Sequence, residues 1–198
     1  LSHTNIISTL RAGSLVLPLD SSDIHISYLP LAHIFERVLL SNTLFIGGSA
    51  GFFRGDVALL IEDLGVLRPT IFASVPRLFN RIYDKIVQGA LNSGSAVKAA
   101  LFTKALDSKL YHLNNGGHLT HSVWDPLVFS KVKAVLGGRV RLMISGSAPI
   151  SSTVMNFLRV ATGAQMIEGY GQTESCAGLT LSWKDDFLPG HVGSVQAK

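Results

Sequence analysis

Short hydrophobic runs alternate along the chain with longer stretches in which apolar residues recur every three or four positions. The short runs are typical of buried strands, and the longer stretches are typical of helices that bury one face. Several runs are followed at once by Pro or Gly, as at Pro30 and Gly47, which mark their ends. We therefore predict five strands, over residues 24–29, 43–46, 70–75, 140–144 and 165–168.

The stretches between these runs carry the signals of helix ends. Asp56 can cap a helix in which Val57, Leu60 and Leu64 share a face, and Gly65 is expected to end it. Further helices are predicted over residues 77–88, around 102–113, from 125 to 137 and over 152–161.

Strands that alternate with helices predict an α/β fold with a largely parallel sheet and flanking helices. Parallel neighbours need connections long enough to hold a helix, and those connections are present here. Ligands of such sheets bind at the carboxyl ends of the strands. The segments to inspect for function therefore follow residues 29, 46, 75, 144 and 168.

Composition narrows the class of protein. The chain has 198 residues, of which 47% are hydrophobic and 15% charged, so it has material for a core and is not disordered. Its net charge of +4 is not gathered into a basic run, and we expect no nucleic-acid partner. Cys176 is the only cysteine, which excludes an intrachain disulfide, and the sequence contains no apolar run of the roughly 20 residues that a membrane span needs. Because the chain starts at Leu1 and stops at Lys198 without a closing element, we expect it to be part of a longer protein.

The densest cluster of candidate chemistry is Gly-Tyr-Gly-Gln-Thr-Glu at residues 169–174, directly after a predicted strand. The glycines let backbone approach a ligand, Tyr170 offers a flat ring, Thr173 a hydroxyl and Glu174 an oxygen ligand of the kind that Mg²⁺ prefers. A glycine-rich turn with Glu174 in water fits the composition equally well. The position at a strand's carboxyl end favours a nucleotide and metal site.

A second cluster, Ser-Gly-Ser-Ala-Pro at residues 145–149, also follows a predicted strand and precedes a helix. Its small residues leave room for a planar ring, and backbone amides near a helix start can meet acceptor atoms. By itself it is best interpreted as a tight connection. If the two strands are neighbours in the sheet, the two clusters line one crevice.

Other candidates have plainer interpretations. His33 follows a strand end but stands among apolar residues, which is more typical of a structural His, and Glu36 and Arg37 resemble helix-surface charges. Residues 47–51 match the Gly-x-Ser-x-Gly pattern of a hydrolase nucleophile at Ser49. No helix is predicted directly behind Ser49, so a flexible turn is favoured.

Four segments, at residues 28–38, 51–86, 137–149 and 168–174, resemble in order and spacing the large domain of long-chain acyl-CoA synthetases of the adenylate-forming superfamily. Tyr-Gly-Gln-Thr-Glu is shared across that superfamily. The stretches PLAHIFERV, GFFRGD and VPRLFNRIYDKI are narrower and point to long-chain fatty acid enzymes. The similarity runs along nearly the whole chain and is weakest between residues 88 and 122.

The resemblance implies roles for particular residues. Tyr170 would pack on the adenine, Thr173 would contact phosphate, Glu174 would bind Mg²⁺, and His33 would lie near the acyl carboxylate and the α-phosphate. The segments after residues 29 and 75 would help to form an acyl tunnel. The residues implied to border or bind the nucleotide are Gly146, Ser147, Ala148, Pro149, Glu168, Gly169, Tyr170, Gly171, Gln172 and Thr173.

The implied activity is the ATP-dependent ligation of long-chain fatty acids to CoA, with ATP, Mg²⁺ and CoA as cofactor and co-substrates. The resemblance also places a phosphate loop upstream, and a ribose-binding Asp and a mobile small domain downstream, so we expect this partial AMP-binding domain (1–198) to be inactive alone. The parent protein is expected in the cytoplasm, on the cytosolic face of endoplasmic reticulum, peroxisomal or mitochondrial membranes. Alternatives are a ligase for aryl or medium-chain acids, a serine hydrolase using Ser49, and a catalytically dead nucleotide-binding module.

Overall fold

The computed structural model describes residues 1–92 and 94–195. Seven helices occur in this part of the chain: α1 (His3–Val16), α2 (Ile34–Phe45), α3 (Leu60–Leu67), α4 (Pro76–Leu91), α5 (Ala96–Gly116), α6 (Ser130–Val135) and α7 (Ser152–Thr162). A 3₁₀ turn, Val57–Leu59, leads into α3, and a π-helical turn, Asp125–Phe129, leads into α6. The strands are β1 (Ile24–Ser27), β2 (Ser49–Phe52), β3 (Ile71–Ser74), β4 (Leu142–Ser145), β5 (Gln165–Tyr170), β6 (Thr180–Leu181) and β7 (Ser194–Val195).

The strands form one sheet in the order β2-β1-β3-β4-β5-β6-β7. The first five are parallel, and β6 and β7 extend the sheet by antiparallel pairing. The predicted α/β fold with a largely parallel sheet is confirmed. Because β4 and β5 are neighbours, the segments that follow them emerge side by side at the carboxyl edge.

Helices cover both faces of the sheet, so the inner strands β3 and β4 are buried throughout. Helices α3 to α7 pack on one face around Phe72, Met143 and Met166. Residues of α1 and α2 cover the other face, around Ala73, Ile144 and Ile167. Successive strand residues alternate between these two cores, as pleating requires.

One predicted strand is wrong. Residues 43–46 form the last turn of α2 and its cap, and the second strand is Ser49–Phe52. The apolar run at the end of α2 resembles a strand because it is short and is followed by Gly47 and Gly48. Its apolar residues nevertheless continue the helical spacing of the residues before it. The structure also contains α1, which the sequence pattern had not suggested.

The predicted end of α3 is wrong as well. Gly65 lies inside the helix, and Arg68, in the left-handed region at φ 53°, ends it. The Arg68 guanidinium donates from Nε to the carbonyl of Gly137 at 3.1 Å. A side chain at Gly137 would meet the Leu64 carbonyl, so the backbones of the two segments touch. This contact stabilises Arg68 in the left-handed conformation, which glycine adopts more readily at the end of a helix.

Two ionic clusters stabilise the framework away from the carboxyl edge. Asp23 is fully buried before β1 and accepts hydrogen bonds from Thr70 and Arg141, which precede β3 and β4. Buried Lys109 of α5 pairs with Asp125, which Lys133 also approaches at 3.3 Å. Burial raises the pKa of the Asp125 carboxyl, but the hydrogen bonds from Lys109 and the His121 amide and the charges of Lys109 and Lys133 together outweigh this effect, and the pKa falls below its usual value.

Candidate active site

A cavity of about 270 Å³ opens at the carboxyl edge of the sheet, on the face covered by α1 and α2. Its walls come from these two helices, from the end of β4, and from the segment between β5 and β6. One side is therefore built from side chains of helices and the other from glycine-rich backbone. The position agrees with the rule that ligands of parallel sheets bind at the carboxyl ends of strands.

Both sequence clusters reach this cavity. The predicted site residues that line it are His33, Gly146, Ser147, Gly169, Tyr170, Gly171, Gln172 and Thr173. They meet because Ser145 is paired with Glu168 in the parallel ladder of β4 and β5, so each cluster begins at the same height. Ala148, Pro149, Glu168 and Glu174 lie outside the lining, as does the helix that follows residue 75.

The segment after β5 closes into a compact turn. Ala177 and Ser175 donate backbone hydrogen bonds to the Gln172 carbonyl, and Cys176 donates to that of Thr173. Gly171 is required at the start of this turn, since a Cβ there would lie 1.2 Å from the Ala177 carbonyl oxygen. The close approach of the two backbones explains why the second glycine of the motif is needed.

Three residues without the freedom of glycine hold left-handed backbone in the two turns. Ser147 has φ 70°, Cys176 φ 59° and Ala177 φ 77°. Each such residue costs of the order of 1–2 kcal/mol. Strain of this kind persists where the surroundings impose it and is concentrated at functional sites.

Tyr170 presents a ring to the cavity. Its side chain is 47% exposed, and its hydroxyl accepts a hydrogen bond from Gln172 Nε2 at 2.7 Å. Across the cavity, Gly146 lies beside the Phe35 ring, where a Cβ would be 3.3 Å from the nearest ring carbon. The cavity is therefore lined by the rings of Tyr170 and Phe35 and by small residues of the two turns.

His33 lies at the rim and also caps α2. Its Nδ1 accepts a hydrogen bond from the Phe35 amide at 3.2 Å, so the neutral ring carries its proton on Nε2. His33 can therefore have both a structural and a functional role. Its Nδ1 caps the helix, and its Nε2–H remains available to donate a hydrogen bond. The cap also explains why His33 precedes an apolar helix.

Glu168 has a different environment from the other predicted nucleotide-binding residues. It is buried, and its Oε1 accepts a long hydrogen bond of 3.4 Å from the Ile150 amide, while its own amide donates to Ser182 Oγ. The side chain lies on the sheet face occupied by α7. Its contacts connect β5 to the connection that follows β4.

Glu174 is exposed in the compact turn and lies outside the cavity lining. Within residues 1–92 and 94–195, no group of three or more His, Cys, Asp or Glu could hold a metal ion. A single accessible carboxylate still fits Mg²⁺ bound together with a substrate, since Mg²⁺ is commonly held by one or two carboxylates and substrate phosphates.

Several lining residues were missed by sequence reasoning. They are Thr9, Gly13 and Leu17 from α1 and its end, Ile34, Phe35, Val38, Leu39 and Asn42 from α2, and Ala177, Gly178 and Leu181 after the compact turn. The spacing of Phe35, Val38, Leu39 and Asn42 is a helical stripe, which would have revealed the α2 face had its last turn not been read as a strand.

Two plainer interpretations need correction. Glu36 is not a surface charge: it is fully buried and its Oε1 lies 3.1 Å from His25 Nε2. Ser49 begins strand β2 at the amino edge of the sheet, remote in topology from the carboxyl edge, and strand rather than helix follows it. The nucleophile geometry of a serine hydrolase requires the reverse, a strand before Ser and a helix behind it.

The match to known families is decisive for the class of protein. The family model described as AMP-binding enzyme matches residues 1–197. The chain belongs to this family. It is 47% identical over 98% of its length to "Long-chain-fatty-acid--CoA ligase 1" of Cavia porcellus, and 46% identical over 98% to the peroxisomal "Long chain acyl-CoA synthetase 6" of Arabidopsis thaliana. It spans 28% and 27% of these relatives, less than a third of their length.

Solved structures support the same fold. The ATP-bound MatB of Rhodopseudomonas palustris matches all of this chain with 30% of its own, at a TM-score of 0.65 and 25% identity. A benzoate CoA ligase of Burkholderia xenovorans matches 98% of the chain with 32% of its own, at a TM-score of 0.66 and 16% identity, which shows the fold alone. Over the described residues, no helix is long and apolar enough to cross a membrane.

Proposed function

We propose that this chain is part of the large domain of an ATP-dependent ligase that converts long-chain fatty acids to acyl-CoA. The observation that carries the proposal is that the turns after β4 and β5 open on one cavity, which extends between α1 and α2. Relatives at 46–47% identity are named as long-chain ligases, which supports the same substrate class. Activity belongs to the intact enzyme, of which residues 1–198 supply a partial AMP-binding domain.

The nucleotide is proposed to lie between the two turns. The Tyr170 ring would pack on the adenine, with Gly146 and Ser147 along the base and Ala148 and Pro149 beyond them. Ser147 and Gly146 leave room for a planar ring because one is glycine and the other is folded back in the left-handed region. Stacking on an accessible aromatic ring increases the affinity for a base and requires no hydrogen bonds to it.

The remaining predicted nucleotide contacts follow from the course of the turn. Gly169, Gly171 and Gln172 line the cavity through a segment where backbone is accessible, and Thr173 offers a hydroxyl to phosphate. Glu168 would support the site indirectly, because its carboxylate accepts a hydrogen bond from the backbone of the connection that follows β4.

The fatty acid is proposed to lie along α2. His33 marks one end, where its Nε2–H can donate to the carboxylate, and Asn42 lies nine residues further on. At about 1.5 Å per residue, these positions are separated by about 13.5 Å along the helix axis. Leu17, Val38 and Leu39 line the same cavity, so an apolar chain has an apolar wall.

The chemistry needs charge compensation rather than a protein nucleophile. The carboxylate oxygen attacks the α-phosphorus of ATP, the bond to pyrophosphate breaks, and an acyl-adenylate forms. The CoA thiolate then attacks the acyl carbonyl carbon, and AMP leaves with the bonding electrons. Because the first two reactants are both anions, donors such as Thr173 and the His33 Nε2–H lower the barrier by stabilising charge on the oxygens.

Glu174 is the residue of this chain proposed to hold Mg²⁺. When bound, Mg²⁺ supplies positive charge to the phosphate oxygens. Cys176 has no proposed part in the reaction, in agreement with its buried position.

We propose small molecules as the partners, namely fatty acid, ATP and CoA, and a cytosolic enzyme that contacts membranes peripherally. The insolubility of the acid and the acyl product favours a membrane surface as their source and destination. A peroxisomal relative makes that compartment one specific option, beside endoplasmic reticulum and mitochondria.

The test is acid-dependent exchange of pyrophosphate into ATP by the intact enzyme. Palmitate should support exchange and acyl-CoA formation better than octanoate or benzoate. The variant Glu174→Ala should abolish exchange, whereas the control Glu62→Ala, an exposed carboxylate on α3, should leave it unchanged. A preference for octanoate or benzoate would assign another ligase class, nucleotide binding without exchange would indicate a dead module, and full exchange by Glu174→Ala would refute the metal role.

A further inference from the structure

The first turn of α2 is held on the sheet by a contact between two buried polar side chains. His25 Nε2 on β1 and Glu36 Oε1 on α2 are 3.1 Å apart, and their side chains are 1% and 0% exposed. His25 is paired in register with Ile71 of the neighbouring strand, so the two side chains lie on the same face of the sheet. This is the face that α2 covers. The contact therefore joins β1, an interior strand next to the edge strand β2, to the helix that forms a wall of the cavity.

Helix α2 uses a different face for the cavity. Phe35, Val38, Leu39 and Asn42 line it, whereas Glu36 is absent from the lining and reaches the strand instead. His33 precedes Glu36 by three residues, about one turn. A slip of α2 by one residue would rotate it by about 100° and shift it by about 1.5 Å, which would carry His33 away from its place.

The pair is a poor source of stability. Among the residues that the structure describes, His25 Nδ1 and Glu36 Oε2 find no hydrogen-bond partner, although both atoms are buried. Unpaired buried polar atoms are unfavourable, and apolar replacements of buried ionic pairs are often neutral or stabilising. Apolar contacts are non-directional and would allow α2 to rotate or slide on the sheet. A hydrogen bond restricts both the distance and the angle between the two elements.

We propose that His25 and Glu36 are positioning residues, which fix α2 so that His33 meets the reacting carboxylate. The inference rests on the proposed ligase function and adds two residues to it. Neither side chain lines the cavity, so neither is a catalytic residue. The pair acts through the place of α2, and its effect belongs to the rate of adenylate formation rather than to ATP binding.

The test separates position from stability in the intact enzyme. His25→Leu and Glu36→Leu each leave one buried polar partner, so both should lower Tm. The double variant His25→Leu/Glu36→Leu should recover Tm but keep a kcat for palmitate adenylation at least about tenfold below wild type, because misplacement by about 1 Å can cost about 100-fold. KM for ATP should change by less than about twofold, since the nucleotide turns are on other elements.

Thr43→Val is the matched control, because Thr43 is a buried polar residue of α2 whose hydroxyl donates to the Leu39 carbonyl within the same helix. It should retain wild-type kcat. A double variant with recovered Tm and wild-type kcat would overturn the proposal and leave the pair a structural role.

A second comparison covers failure of the double variant to fold. Glu36→Gln and Glu36→Met keep the length of the side chain, but only Gln can accept from His25 Nε2. A kcat for Gln at least about tenfold above that for Met supports positioning, and equal values overturn it. Wild-type enzyme that activates no acid would instead refute the proposed function, and the positioning role with it.

Discussion

Tyr170→Ala offers the most direct test of how the cavity recognises a nucleotide. The ring is about half exposed and faces the space between the two turns, so a base can cover its free face. Base–aromatic stacking contributes about 1–3 kcal/mol, which corresponds to about 5- to 150-fold in affinity. We expect Tyr170→Ala to raise Kd for ATP by that factor and to leave KM for fatty acid within about twofold.

Tyr170→Phe is the matched control for the ring. It keeps the aromatic face and loses the hydrogen bond from Gln172 Nε2, which is exposed and contributes about 0.5 kcal/mol, or about twofold in affinity. Isothermal titration of ATP and the dependence of pyrophosphate exchange on each substrate measure both effects in the intact enzyme. Equal losses for ATP and fatty acid in Tyr170→Ala, or equal losses in the Ala and Phe variants, would refute stacking.

Three further changes test the framework around the cavity. Gly171→Ala should weaken ATP binding at least about tenfold, because its Cβ would force the compact turn open, as titration would show. Asp23→Ala should lower the free energy of unfolding by about 1–3 kcal/mol in urea titrations, since it removes the buried acceptor of Thr70 and of the partly exposed Arg141 guanidinium. The stability supplied by Asp125 should be complete above its ordinary pKa of 3.8 and be lost as pH falls through the lower folded value, which unfolding against pH would measure.

Each of these changes has a control. Gly89→Ala, inside α4 with open space at its Cβ, should retain ATP binding and slightly raise stability. Asp20→Ala removes an exposed carboxylate near the same guanidinium and should have little effect. Asp125→Asn should remove the part of the acid dependence that Asp125 supplies, and an unchanged pH profile in that variant would contradict the role of the ion pair.

The strands and helices that the sequence predicted correctly have strong local signals. Strand β3 lies in a short, mostly apolar segment between Pro69 and Pro76, and α7 begins at a Ser cap and ends at Gly163. The edge strand β2 has the sequence Ser-Ala-Gly-Phe, which carries no period-two pattern, and its place depends on pairing with β1. That pairing is a tertiary effect and leaves no local trace.

The site divides in the same way. The two turns could be placed together because neighbouring parallel strands end at one edge. The contribution of α1 and the burial of Glu36 could not be predicted, since each depends on a tertiary contact that the local sequence pattern does not show. Glutamate is common on helix surfaces, so the residue type of Glu36 gives no sign of its burial.

The left-handed backbone conformations of Ser147, Cys176 and Ala177 lower the thermal stability of the protein, but they also hold the two turns in the shape that binds the ligand. Cys176 is buried and its loss would leave a cavity, but at Ser147 and Ala177 replacement by glycine would relax the backbone and raise the melting temperature, while also freeing the two turns. Directed evolution for heat tolerance alone would therefore tend to collect glycines at these sites and erode substrate binding, a trade-off that selection on turnover would resist.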